Sequence, residues 1–281
     1  MKKPVRYTLY GIIGLICIVA IFVGVIAVEF KDEGSSNNNK VNLGDNSIVL
    51  AETQDKETLL SLFENEFYAS NFDDSKIKKI DSSKPLVYNA VQLKENKNDK
   101  YEINLNIPII NINSELAMKC NQFTQKLFVE KAKEVIENSD NEDYKFSVCN
   151  ISFTSYVNNN ILSVAIKEEI KEGDSKQRVI LQTYNINLET NQLVTIADIL
   201  QERGLDVDVV QKKIDAMVKQ MIEDAETIKA SGYEVYNRNA DDLIYKVENT
   251  SIFMQGPNGE LYIIYPYGNI TETSAIDVLK I

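Results

Sequence analysis

From Tyr7 to Val28 the chain runs for 22 residues without a charged side chain, YTLYGIIGLICIVAIFVGVIAV. A helix rising ~1.5 Å per residue needs about 20 such residues to cross a hydrocarbon core ~30 Å thick, so the stretch predicts one transmembrane helix. Lys2, Lys3 and Arg6 precede it, and Glu29, Lys31, Asp32 and Glu33 follow it. Basic flanks stay in the cytoplasm, which makes residues 1–6 a cytoplasmic tail and sets everything after Val28 outside the cell membrane. The rival reading is a cleaved signal peptide ending near Val25-Ile26-Ala27. Signal peptides carry apolar regions of about 7–15 residues, and this one is longer.

Composition narrows what the outer part can do. The 281 residues include no histidine, which excludes Ser-His-Asp and Cys-His catalysis, the common zinc sites and an imidazole pH switch. Acidic residues number 42 against 30 basic, a net charge of −12; with Lys2, Lys3 and Arg6 set aside the remainder carries −15. A phosphate-binding surface needs clustered Lys and Arg, so this balance argues against nucleic acid. It favours cationic partners and, more simply, keeps an outer domain solvated.

Residues 29–84 read as a polar linker, with Gly34-Ser35-Ser36 and three asparagines early on. Within it, Leu59, Leu60, Leu62, Phe63 and Phe67 fall near helical spacing and predict a short amphipathic helix over 56–68. A compact domain is expected over residues 85–281. Leu86–Leu93 and Tyr101–Ile109 have strand character, and Ser114 followed by Glu115 opens a helix expected to reach about Asn138. Strands follow at 144–157, 161–171 and 177–188, the first two joined by Asn158-Asn159-Asn160, a run that tolerates the positive φ of a tight turn. Two helices, 195–202 and 207–228, and three short strands complete the chain. The pattern predicts an α+β fold: an antiparallel β-meander with helices on one face.

The residues that suggest chemistry are few. Cys120 and Cys149 are the two thiols beyond the apolar run, and they admit either one disulfide or two buried thiols. Ser75-x-x-Lys78 and Ser139-Asp140-Asn141 match fragments of the penicillin-interacting pattern, but the serine lies in a polar stretch and no K-T-G follows. The acidic groups Asp140/Glu142/Asp143, Glu168/Glu169, Asp206/Asp208 and Asp241/Asp242 lack the spacing of a calcium loop and are expected at solvated turns and helix ends. No metal or other cofactor is expected. Tyr262, Tyr265 and Tyr267 lie on one strand, where one face belongs to the core and the other is expected on the surface; exposed rings there would suit a carbohydrate or peptide ligand.

The runs INLNIPIININSELAMKCNQF, ISFTSYVNNNILSVAIKEEI, VILQTYNINLETNQLVTIADIL and NGELYIIYPYGN occur in an order that is familiar. Together they make residues 85–270 resemble the extracellular domain shared by the lysozyme-sensing anti-sigma factor RsiV and the N-terminal part of the peptidoglycan deacetylase PdaC. Tyr184-Asn185-Ile186-Asn187-Leu188-Glu189-Thr190 resembles that domain's strand and turn, and Thr195-Ile196-Ala197-Asp198-Ile199-Leu200 its next helix. The resemblance implies a wall-facing domain with neither the deacetylase nor the sigma-binding effector attached. The expected function is therefore a non-enzymatic binding or sensor-like module of the bacterial envelope. Its partner would be a cell-wall component or an extracellular or envelope protein, cationic proteins included. The alternative is a histidine-independent hydrolase of the cell wall.

Overall fold

The computed structural model describes residues 54–64, 68–69, 72–97, 99–139, 145–232, 236–269 and 272–281. The expected tail, the transmembrane helix at 7–28, linker residues 29–53 and the acidic group Asp140, Glu142 and Asp143 lie outside the described residues. Among the described residues no helix is long and apolar enough to cross a membrane.

Helix α1 (Gln54–Ser61) and the two-residue strand β1 (Tyr68–Ala69) precede the main sheet. That sheet contains β2 (Val87–Lys97), β3 (Tyr101–Ile110), β4 (Ser147–Asn158), β5 (Ile161–Glu172), β6 (Arg178–Asn187) and β7 (Gln192–Leu193), in that spatial order, with β1 against β4. Strands β4, β5 and β6 form the expected antiparallel meander. Asn159 and Asn160 turn its first corner at φ of 46° and 61°, a conformation that asparagine adopts at less cost than most side chains. The sheet is not antiparallel throughout, because β3 and β4 pair in parallel from Tyr101↔Ser147 to Leu105↔Ile151. A helical crossover between those strands returns the chain to the end of the sheet where β3 began, which parallel pairing requires.

The crossover is helix α2 (Glu115–Thr124), a π-helical turn (Gln125–Val129) and helix α3 (Glu130–Asn138). Ser114 caps it by accepting a hydrogen bond from the Ala117 amide at 3.2 Å, as the sequence predicts. Ala117, Cys120, Phe128, Ala132 and Val135 pack from this helix onto Ile103, Cys149, Ile151, Val164, Ile166 and Ile170 of the sheet. After the meander come α4 (Ile196–Glu202), opened by a Thr195/Asp198 capping box, and α5 (Val207–Ala230), capped by Asp206.

A second sheet, β8 (Phe253–Gln255), β9 (Leu261–Asn269) and β10 (Glu272–Lys280), has the order β10-β9-β8. One face, with Met254, Tyr262, Ile264, Ile276 and Val278, packs on Tyr156, Ala165 and Leu181 of the first sheet. The other, with Phe253, Leu261, Ile263 and Tyr265, packs on Ile199, Leu200, Val210, Ile214 and Val218 of α4 and α5. The layers therefore run helix, sheet, sheet, helix, which replaces the expected single sheet with helices on one face. The run LYIIYPY is nearly all apolar because β9 is covered on both sides. Helix α1 also belongs to this packing rather than to a free linker. Leu59 is fully buried, Phe63 nearly so, and the Lys280 amide donates to Asp55 at 3.0 Å.

Candidate functional site

The three tyrosines singled out by sequence are inside the protein. Tyr262, Tyr265 and Tyr267 keep 1%, 2% and 5% of their surface, so none offers the open ring face expected of a ligand platform. The cause is the double covering of β9. Burial pushes the phenols of Tyr262 and Tyr265 up to about 12. Tyr265 instead meets Thr250 through its hydroxyl at 3.3 Å and the Tyr245 ring at 5.1 Å. Against Tyr267 lies a buried ion pair that sequence reasoning missed. Arg238 donates through Nε and Nη2 to the two Asp277 oxygens at 2.5 and 2.7 Å, and its guanidinium carbon stands 4.1 Å from the Tyr267 ring centroid. The signal was a lone acid inside the buried run Ala275-Ile276-Asp277-Val278.

The cysteines resolve to two separate thiols, both free and buried. Cys120 lies on the buried face of α2, where burial pushes it up to about 11; its carbonyl accepts from the Tyr184 hydroxyl at 3.1 Å. Cys149 lies in β4 and donates its S–H to Glu168 Oε1 at 3.4 Å. Burial, followed by the neighbouring Glu168 carboxylate, raises the Cys149 thiol far above its ordinary range.

Glu168 is the unusual group of the molecule. The sequence pairs it with Glu169 at a solvated turn, yet Glu168 is fully buried while Glu169 is half-buried. It falls in the apolar phase of β5, in line with Leu162, Val164, Ile166 and Ile170, and that phase was the available signal. Across the sheet its neighbours are Ile151 of β4 and Ile180 of β6. The adjacent row holds Cys149, Ile170 and Arg178, and the α2–α3 helix covers both. Oε2 of Glu168 has no hydrogen-bond partner among the described residues. Two cations stand nearby, but both serve Glu172: Lys131 Nζ donates to it at 3.0 Å and Arg178 Nη2 at 2.7 Å. Burial pushes the Glu168 carboxyl up to about 7; the Cys149 thiol, Lys131 and Arg178 counter only part of that.

The remaining sequence candidates do not converge. Ser75 and Lys78 are exposed, Ser75 in a one-turn 3-10 helix capped by Asp73. Asp206 is occupied in capping α5, and Asp241 and Asp242 are exposed. Among the described residues, no three His, Cys, Asp or Glu side chains form a group that could hold a metal ion.

No family model matches the chain, and no curated protein matches it. Two solved structures of the DUF3298 family, a domain family of unknown function, are similar to it. The protein from Bacteroides fragilis is 14% identical, with a TM-score of 0.34, over 63% of this chain and 79% of that one. The protein from Pseudomonas aeruginosa is 9% identical, with a TM-score of 0.38, over 69% of this chain and 89% of that one. Likeness at this distance assigns no residue a role. The resemblance to the RsiV/PdaC extracellular domain is carried by the sequence motifs alone.

Proposed function

We propose that the chain is a single-pass membrane protein of the bacterial envelope whose α+β domain stands outside the membrane and binds a partner without catalysing a reaction. The observation that carries this reading is the uncharged run Tyr7–Val28 between a basic and an acidic flank, followed by a chain of net charge −15. The partner class is a cell-wall component or an extracellular protein. A cationic protein is the first to test, because the acidic excess would steer it to the surface. The resemblance to a lysozyme-sensing domain supports the same choice. A histidine-independent hydrolase would need an acid pair or a serine–lysine pair in an open groove. Ser75 and Lys78 lie exposed at a polar turn, and the Glu168 carboxyl lies closed beneath a helix.

The test is calorimetry of the detergent-solubilised full chain against hen-egg lysozyme and, separately, against purified muropeptides, each at about 0.1 M and about 1 M salt. The Debye length falls from ~10 Å to ~3 Å over that range, so lysozyme binding driven by charge weakens sharply. Binding to neither probe would refute a lysozyme-like cationic protein and a muropeptide as the partner. Lysozyme binding indifferent to salt would refute the electrostatic part of the argument.

A further inference from the structure

The two halves of the crossover helix are held differently. Helix α2 is pinned by polar bonds at several points. The Asn121 side chain accepts from the Ile110 amide at 2.9 Å and donates to the Ile110 carbonyl at 3.0 Å, while the Tyr184 hydroxyl meets Thr124 at 3.0 Å and the Cys120 carbonyl at 3.1 Å. Helix α3 rests on the sheet through Ala132 and Val135, and its polar tie among the described residues is Lys131 to Glu172. Between them the π turn at Gln125–Val129 interrupts the regular ladder, a break at which helices kink and which is frequent at functional sites. The fully buried, half-partnered carboxyl of Glu168 lies beneath this helix.

We propose that Glu168 is a pH-sensitive latch: the protonated carboxyl fits the closed interface, and its ionisation favours a state in which α3 swings away about the π turn and water reaches the carboxylate. A carboxylate in that position has no dedicated counter-charge. The charged and titratable groups around it are Cys149 of β4, Glu172 of β5, Arg178 of β6 and Lys131 of α3. Glu134 shares Lys131 with Glu172, so the lysine is already bound on two sides. Strand β3 contributes Ile103 beside Cys149 and Tyr101 beside Ser147, the Tyr101 phenol donating to Glu95 at 2.8 Å. On α3, Glu130 and Glu137 face solvent, and Lys133 pairs with Glu137 at 3.5 Å. Ionised Glu168 thus competes for cations that Glu172 already holds, and hydration through an opened helix is the remaining way to solvate it.

Hydrogen exchange of the full chain, divided by the intrinsic exchange rate at each pH, tests the latch. With the closed carboxyl at about 7 and an exposed one at the ordinary 4.5, α3 opening should rise about 30-fold between about pH 5.5 and about pH 8.5. The rise should be confined to amides of α3, absent from β9, and abolished in Glu168→Gln. Lys131→Met, which removes a cation that favours the ionised carboxyl, should move the midpoint of the rise to higher pH. A flat wild-type profile, an equal rise in Glu168→Gln, a rise shared by β9, or a midpoint unmoved in Lys131→Met would each overturn the proposal. If Glu168→Gln fails to fold, the wild-type and Lys131→Met profiles decide the matter.

Discussion

Removing Arg238 should be among the most damaging single changes to this fold, and the reason lies in the acid it leaves behind. Arg238 and Asp277 keep only 4% and 3% of their side-chain surface. The fork-to-fork geometry, with contacts of 2.5 and 2.7 Å, satisfies both carboxylate oxygens, and the guanidinium stacks on Tyr267. Arg238→Met keeps most of the aliphatic volume but leaves Asp277 charged on the buried strand face it shares with Ala275 and Leu279, opposite Tyr265 of β9. An uncompensated buried charge costs about 3–5 kcal/mol, and the lost ring contact adds about 1 kcal/mol. Thermal unfolding of the full chain in detergent, followed by far-UV circular dichroism, should show the midpoint falling by roughly 10 °C or more. The double variant Arg238→Met/Asp277→Leu should recover most of that loss, because a matched apolar pair removes the desolvation penalty along with the attraction. If the double variant is as unstable as the single one, packing of the Arg238 stem carries the effect and the charge argument is wrong. A loss below about 1 kcal/mol in Arg238→Met would mean that water reaches Asp277.

Three further outcomes follow from named contacts. Asn111 is fully buried, accepts from the Asp81 amide and donates to the carbonyls of Asp81, Lys84 and Pro85, so Asn111→Ala should cost about 3 kcal/mol in chemical denaturation of the full chain. Asn160 holds φ at 61° at the β4–β5 corner; Asn160→Ala should cost about 1 kcal/mol by thermal unfolding, whereas Asn160→Gly should be nearly neutral. Cys120 and Cys149 should be silent to a thiol reagent in the folded protein and both titrate once it is unfolded without reductant; a missing pair of thiols would mean a disulfide.

The meander was legible in sequence because its signals are local. Three asparagines mark the corner between β4 and β5, and Ser114 and Thr195 mark helix starts that the structure places as expected. The parallel pairing of β3 with β4 was not local, although a strand, a long helix and a strand in succession are its usual signature. The second sheet escaped for a different reason. Its β9 run, Leu261 to Tyr267, was read as a strand with one open face, and only the positions of α4, α5 and the first sheet reveal that both faces are closed. The candidate residues failed on the same point. Tyrosine can serve a surface or a core, and the sequence did not say which layers would meet around Tyr262, Tyr265 and Tyr267.

The two buried acids point to a difference between the two layer interfaces. Asp277 and Glu168 each occupy an apolar phase of a strand, where burial penalises the charged form. Asp277 has a guanidinium of its own; Glu168 has a thiol and two cations already committed to Glu172. The first arrangement closes its interface with both carboxylate oxygens satisfied. The second is stable in proportion to how long the carboxyl keeps its proton. Because the carboxyl is raised from 4.5 to about 7, its protonated form favours the fold fully below about pH 4.5, and that advantage is lost as pH rises through about 7. At ~1.4 kcal/mol per pH unit, the loss amounts to roughly 3 kcal/mol once the carboxyl has ionised in the folded state. That is a substantial part of the 5–15 kcal/mol that holds a typical domain together, and it falls on the interface with the π turn. Among the described residues, the sheet under α3 therefore holds a buried carboxyl, Glu168, whose charge changes near neutral pH.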